Sequence, residues 1–332
     1  MKISIITPSY NQGHFIEETI QSVINQGYQD MEYIIIDGDS TDNTVNIIEK
    51  YTDKITYWVS EPDHGQTNAI NKGFKRATGD IVTWLNSDDV LVPGALHKVA
   101  DQFENNKELV CLFGQQIDFN ELGETLIIKK VKHQREWLYT TPYSQPSTFY
   151  KRKIFEDIGY LDESLHFSMD NDLFKRIVFY NYPILFVDDV YSKFRWHQDS
   201  KSSNLMSLCR ENDKLILITF LESINTPISN KIIEFLKKTD LFHKPSKHYL
   251  VNLKFSDDDI RYAFTHFIAF YIGQWYNHAE FDKVSQAFSF FKVIEAKNLI
   301  NECGLTNIYK RHKYIPGKFI KLFRKINQKR NA

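Results

Sequence analysis

Cysteine, glycine, proline and long apolar runs are all sparse in this chain of 332 residues, and each shortage removes a class of protein. Cysteine occurs three times, at Cys111, Cys209 and Cys303, with no Cys-x-x-Cys pair. An odd, scattered set supports neither a disulfide framework nor a zinc knuckle, and a reducing compartment suits it. Thirteen glycines and nine prolines are too few for a collagen-like or low-complexity chain. The most apolar stretch, residues 267–272, falls far short of the roughly 20 residues that a membrane-spanning helix needs. The apolar start at residues 3–6 is too short for a secretory core, so no export is expected. Neither Gly-x-Gly-x-x-Gly nor a phosphate-binding P-loop occurs.

What remains is a composition suited to a packed core: 42% hydrophobic, 14% aromatic and 25% charged residues. At this length a single core begins to split, so a domain of roughly 200–250 residues with an appendage, or two smaller domains, is expected. The net charge of −1 hides an asymmetry, because the last 30 residues carry nine basic side chains and no acid. Within that tail Phe319, Ile320, Leu322, Phe323 and Ile326 share one helical face with Lys321, Arg324 and Lys325 around it, a pattern suited to an anionic membrane surface. A solvated basic end is the plainer alternative. No aromatic and basic RNA-binding module is visible, and no nucleic-acid partner is expected.

Hydrophobic periodicity orders the chain. Residues 2–7, 33–36, 55–59, 80–85 and 109–113 read as buried strands, and residues 15–24, 42–51, 66–77 and 93–105 as the helices between them. Such alternation implies a mostly parallel sheet covered on both faces, with ligands at the carboxyl ends of its strands. Polar clusters fall at three of those ends: residues 7–11, 37–42 and 86–89. The pattern breaks after about residue 114. One clear helix follows at 170–180, and from about residue 204 the sequence is helical throughout.

Adjacent Asp88 and Asp89 at a strand end are the sharpest chemical feature. Two carboxylates on a loop suit Mg²⁺ or Mn²⁺, and a cation there could neutralise a diphosphate leaving group. An Asx turn leading into the next helix is the ordinary alternative.

Four segments in order strengthen the first reading: Ile3 to Asn11, Glu32 to Thr44, Asn71-Lys72-Gly73 with Ala77-Thr78-Gly79-Asp80, and Asn86-Ser87-Asp88-Asp89. Together they resemble the family 2 inverting glycosyltransferases of the GT-A fold. The resemblance covers roughly residues 1–200. It implies an α/β, Rossmann-like, mostly parallel sheet with helices on both faces. Residues 1–204 would form the transferase domain, with a nucleotide-sugar half at 1–114 and an acceptor half at 115–204, followed by a helical region with a basic tail at 205–332.

The resemblance also implies roles. Thr7, Pro8 and Tyr10 would line the nucleotide pocket, with Tyr10 against the base. Asp37 and Asp39 would lie in the base-recognition loop, although the order here is Asp-Gly-Asp-Ser rather than Asp-Asp-Gly-Ser. Asn86 stands where the family commonly has the first Asp of Asp-x-Asp. Asp88 would meet ribose or metal, and Asp89 would ligate the metal. Asp63 would reach the donor. In Met169-Asp170-Asn171-Asp172, Asp170 matches the catalytic base and Asp172 is the second candidate. As plain sequence, Asp170 is equally an acid at a helix start. Residues 145–152 resemble a wall of the acceptor pocket. Arg195-Trp196-His197 with residues 199–202 resembles a loop closing over the diphosphate, and His197 would touch phosphate or metal.

The implied protein transfers a hexose or N-acetylhexosamine from a nucleotide sugar, with UDP as the expected nucleotide, to a lipid-linked saccharide acceptor in surface polysaccharide synthesis. It would use Mn²⁺ or Mg²⁺ and work in the cytoplasm on the inner face of the cell membrane. A GT-A nucleotidyltransferase is the first alternative, and a non-catalytic sugar-nucleotide-binding protein, which Asn86 and Met169 favour, is the second.

Overall fold

The computed structural model describes residues 1–128, 134–140, 143–165, 167–197 and 206–315. The chain divides into two units, Met1–Val131 with Thr141–Asp213, and Lys132–Thr140 with Lys214–Ala332.

The first unit is an α/β layer structure. Its opening elements are β1 (Ile3–Ser9), α1 (Ile16–Ile24), β2 (Met31–Asp37), α2 (Thr44–Lys50), β3 (Tyr57–Ser60), α3 (Gln66–Arg76), β4 (Ile81–Trp84), β5 (Val90–Leu91) and α4 (Ala95–Asn105). Then follow β6 (Cys111–Asn120), β7 (Gly123–Ile127), β8 (Thr148–Lys151), α5 (Ile154–Ile158), α6 (Met169–Tyr180) and β9 (Ile184–Arg195). The strands form one sheet in the order β3-β2-β1-β4-β8-β6-β9-β5, with β7 on β6. Strands β1 to β4 pair in parallel. Beyond β4 the sheet turns mixed: β8 is antiparallel to β4 and β6, whereas β9 runs parallel to β6.

Alternation along the strands divides the core. Ile3, Ile5, Tyr33, Ile35 and Ile81 face α1, α2 and α4, where Ile20, Val23, Ile48 and Phe103 meet them. The opposite face carries Ile6 against Gly73 of α3. On that face Trp84, Phe74, Tyr150 and Phe155 also form a chain of ring contacts. Both faces are therefore covered, as the alternation of strands and helices predicts.

Two strands exceed the expectation. The run seen at residues 109–113 continues to Asn120 as β6, with register shifts between Phe113 and Gln116. Strand β9 is 12 residues long although Asp188 and Asp189 interrupt its apolar run. A bulged strand breaks the period of two, so sequence periodicity understates it.

The second unit is helical: α7 (Met206–Ile224), which enters it at Lys214, then α8 (Pro227–Lys238), α9 (Asp257–Asn277), α10 (Phe281–Val293), α11 (Leu299–Glu302) and α12 (Thr306–Tyr314). Helices α8 and α9 each begin with a capping box, Thr226 with Ser229 and Ser256 with Asp259. Phe235, Phe264 and Phe290 form its aromatic centre, with Phe235 and Phe290 stacked at 4.5 Å. Among the described residues no helix is long and apolar enough to cross a membrane. The amphipathic basic segment at residues 318–326 lies outside the described residues.

Candidate active site

Three loops at the carboxyl ends of β1, β2 and β4 converge as the sheet topology requires. The first two are sewn together. Asn11, in the left-handed region, accepts from the Thr41 amide at 2.9 Å through its side chain, and its own amide donates to Ser40 Oγ at 2.7 Å. Asp37 is fully buried and accepts from the Ser40 amide, the Ser40 hydroxyl and the Ser60 hydroxyl at 2.6–2.9 Å. It holds the loop from beneath, while Asp39, at φ 66°, lines the cavity. The unusual Asp-Gly-Asp order has a local cause. A Cβ on Gly38 would lie 2.7 Å from Asp63 Oδ2, so glycine makes room for the Asp63 carboxylate above it.

The loop after β4 separates its two acids. Asp88 lines the cavity, and its Oδ2 lies 3.1 Å from His197 Nε2. The His197 ring packs on Phe15 at 4.5 Å. Asp89 is fully buried, accepts from the Arg195 amide at 3.1 Å and from the Asn86 side chain at 3.2 Å, and does not line the cavity. Burial and the neighbouring Asp88 carboxylate push its pKa well above the ordinary carboxylate range. The expectation that Asp89 offers its carboxylate to a metal is therefore corrected: its oxygens are turned into the protein, and Asp88 is the acid that faces the cavity. Arg195 secures the same loop, with its Nε donating to the Asp88 carbonyl at 2.9 Å and its guanidinium reaching Glu18. Asn86 is held by Gln66, whose amide donates to it at 2.8 Å. It also donates to Asp89. A neutral amide at this position can both accept and donate, which a carboxylate could not.

Helix α6 supplies the third part. Ser168 precedes it in the left-handed conformation, and Asp170 in its first turn lines the cavity. Burial raises the Asp170 pKa above the ordinary value, and Asp213 adds to the rise, while the Asn171 amide and the Tyr143 phenol oppose it. Asp172 is buried and paired with Arg176 at 2.9 Å, and Arg176 also donates to the carbonyls of Gly159 and Tyr160. Of the two candidate bases, Asp170 faces the cavity and Asp172 anchors a neighbouring loop. Met169 is buried but contributes to the cavity wall.

The cavity has a volume of about 960 Å³ and brings together Pro8, Tyr10, Asp39, Asp63, Asp88, Asp170 and His197. Tyr10 is 60% exposed, an aromatic ring open at the loop crest. Thr7 is not in the lining: it is buried on the other face of β1, with its hydroxyl 3.2 Å from that of Tyr33. Residues 199–202 lie outside the described residues. Gln66, Trp84, Gln116, Asp118 and Tyr143 line the cavity without having been singled out for it, and Trp196 lines it from the segment read as a loop over the diphosphate. The signal open to sequence reading was Gln145-Pro146, which lines the same wall.

A doubly covered sheet with its cavity at the carboxyl ends of parallel strands defines an α/β ligand-binding protein of the Rossmann-like kind. Residues 4–159 match the model of glycosyl transferase family 2. An uncharacterized glycosyltransferase of Rickettsia felis is 28% identical over 215 residues, 61% of this chain and 35% of that protein. The GalNAc(5)-diNAcBac-PP-undecaprenol beta-1,3-glucosyltransferase of Campylobacter jejuni is 35% identical over 99 residues, 29% of this chain and 32% of that protein. The chain thus spans about a third of the length of these relatives. S. aureus TarS 1–349, solved in complex with UDP, superposes with a TM-score of 0.56 at 19% identity, covering 95% of this chain and 93% of that one. That likeness is one of fold, GT-A-like.

Proposed function

We propose that this chain is an inverting glycosyltransferase that moves a hexosyl or N-acetylhexosaminyl unit from a UDP-sugar to a hydroxyl of a lipid-linked saccharide in surface polysaccharide synthesis. The observation that carries the reading is the presence in one cavity of the Asp88–His197 pair and of the half-buried Asp170. A diphosphate needs positive charge beside it, and an attacking hydroxyl needs a base. Support for UDP comes from TarS, solved with UDP and with UDP-GlcNAc. Support for the acceptor class comes from the Campylobacter relative, whose name specifies a polyprenyl-linked saccharide.

The residues present fit a divalent cation of limited protein coordination. Among the described residues no cluster of three ligating side chains occurs. Asp88 and His197 offer one carboxylate and one imidazole toward the cavity. Mg²⁺ and Mn²⁺ are commonly held by one or two side chains with substrate phosphates completing the shell. A bound cation would neutralise charge building on the departing diphosphate.

The remaining chemistry is assigned to the chain's own residues. Tyr10, Asp39 and Asp63 take the nucleoside. The acceptor oxygen attacks the anomeric carbon from the face opposite the diphosphate. As the new C–O bond forms and the bond to the diphosphate breaks, Asp170 receives the hydroxyl proton. Such a base contributes typically about 10²–10⁴-fold. The basic tail at residues 310–332 is assigned to adsorption on anionic lipid at the inner face of the cell membrane, which brings the cavity to the plane of a lipid-linked acceptor.

Incubation with a panel of nucleotide sugars, with Mn²⁺ or with chelator, tests the reading. Metal-dependent release of UDP from one UDP-sugar is the expected result. Binding of nucleotide sugars without turnover, in the presence of lipid-linked oligosaccharide extracts, would leave a binding protein instead. Vesicle co-sedimentation of the full chain against a chain ending at residue 315 tests the tail.

A further inference from the structure

Gln116 and Asp118 of β6, Phe194 of β9 and Trp196 just after it also line the cavity. The functional reading above gives these residues no part. Trp196 is 41% exposed, unusual for the bulkiest apolar side chain. Yet it is held from several sides. Its amide donates to the Phe119 carbonyl at 2.9 Å, and its indole Nε1 donates to Asp118 Oδ2 at 2.7 Å. Phe194 meets the ring edge-on, with centroids 5.2 Å apart at 75°. The other oxygen of Asp118 accepts from Gln116 Nε2 at 2.5 Å. The indole is therefore an aromatic plate whose position is fixed by the fold, with a carboxylate and a primary amide at its edge.

A pyranose ring matches this arrangement. Its axial C–H bonds form an apolar face that lies on an aromatic plane, and its equatorial hydroxyls reach donors and acceptors at the rim. Because the plate is ordered before binding, little side-chain freedom is lost on contact. Asp118 adds a negative charge to a cavity wall that already carries Asp170, which disfavours an anionic group at this point. We infer that Trp196, locked by Asp118, is the platform of an acceptor subsite for an uncharged pyranosyl unit, with Asp118 and Gln116 taking its hydroxyls. This deepens the glycosyltransferase reading by naming the acceptor's terminal unit as a neutral sugar ring, and it rests on that reading for the word acceptor.

The test uses p-nitrophenyl pyranosides of glucose, galactose, N-acetylglucosamine and N-acetylgalactosamine, with glycerol 3-phosphate as the anionic competitor. Binding to the full chain is followed by saturation-transfer NMR and calorimetry in the presence of UDP and Mn²⁺. At least one pyranoside is expected to bind. Trp196→Ala should weaken that binding by about tenfold or more, and Trp196→Phe by less, since a smaller ring keeps part of the stacking. Asp118→Asn keeps a hydrogen-bond acceptor for the indole and should weaken pyranoside binding less than Trp196→Ala. UDP affinity, measured separately on each variant, should stay within about twofold of the parent, because the nucleoside is assigned to other loops. Equal pyranoside binding by Trp196→Ala and the parent, no binding by any pyranoside, or preferential binding of glycerol 3-phosphate would each overturn the subsite. Loss of UDP binding in the well-folded Trp196→Phe chain would also overturn it, assigning the indole to the donor. Failure of the parent chain to bind UDP while a pyranoside still binds through Trp196 would sink the donor reading and leave the sugar platform standing.

Discussion

Asp88 and His197, 109 residues apart in sequence, lie 3.1 Å apart at the cavity wall, while Asp89 next door is buried against the Arg195 amide. The two adjacent acids should therefore fail in different ways. Asp88→Asn and His197→Ala should each weaken Mn²⁺-supported UDP binding by about 10–100-fold, the range seen when groups around a metal are removed. The double variant should lose little more than the worse single one, since both act on one ion. Calorimetry with Mn²⁺ and with chelator measures this, and equal UDP affinity in the two conditions would remove the metal from the account. Asp89→Ala leaves the Arg195 amide and Asn86 side chain short of a buried acceptor, so its effect should appear as a stability loss of about 1–3 kcal/mol.

Asp170 and Asp172 offer a second separation. Asp170→Asn keeps size and helix start but takes no proton, so kcat should fall by a factor on the order of 10²–10⁴ with UDP affinity retained. Burial, with Asp213 contributing, raises the Asp170 pKa. A base acts only when deprotonated, so the acidic limb of the kcat profile should lie above the ordinary carboxylate range, and activity should be lost as pH falls through it. A limb at or below that range would exclude Asp170. Asp172→Ala instead leaves Arg176 without its buried partner and should lower stability by about 3 kcal/mol. If Asp172→Asn proves the more damaging to kcat in folded protein, the base is misassigned.

Local sequence carried the parts of the fold that depend on local periodicity. Residues 3–6 and 33–36 are runs of mostly β-branched apolar residues, and both are buried strands. Helix α3 was legible from spacing alone, because Ile70 and Phe74 mark its buried side. Strand β9 was not, because Asp188 and Asp189 sit within it and its pairing with β6 is bulged. At the site, residue type predicted chemistry but not direction. Asp88 and Asp89 look alike in sequence, and it is Asp89 that the Asn86 side chain and the distant Arg195 amide hold inside. Thr7 looked like a pocket residue until strand alternation put it beside Tyr33. The Trp196–Asp118 contact spans 78 positions and leaves no local trace.

Gly73 tests the packing of α3 on the sheet. A Cβ there would sit 2.8 Å from Ile6 Cγ1 and also crowd Cγ2. Replacing an internal helix glycine by alanine ordinarily stabilises by about 1 kcal/mol. Overpacking a close-fitted core costs about 1–3 kcal/mol, and a β-branched isoleucine in a central strand has little rotamer freedom with which to yield. Gly73→Ala should therefore lower Tm rather than raise it. A rise would show that the helix can move off the strand without loss.

Glu32 lies at the amino end of β2, away from the cavity, and binds the start of the sheet together. It accepts from Ser4 Oγ at 2.5 Å, from the Thr78 amide and hydroxyl at 2.7 Å each, and from Lys2 Nζ at 2.9 Å. Burial raises its pKa, but the bonds from Ser4, Thr78 and Lys2 outweigh burial and bring it from 4.5 down to about 2. A carboxylate depressed on folding releases its proton more readily in the native state, so its stabilisation is complete above the unfolded value and is lost as pH falls through the folded one. Glu32→Gln removes the charge but keeps the shape. Urea denaturation should show the variant less stable by on the order of 2 kcal/mol at pH 7. The gap should narrow below pH 4.5 and close only as the pH falls through about 2, where Glu32 takes up its proton. Donor turnover should be unaffected, because the cluster sits at the opposite end of the strands from the cavity. A stability difference that stays constant from pH 7 down to the acid limit would mean that glutamine's poorer hydrogen bonding, not the charge of Glu32, accounts for the change.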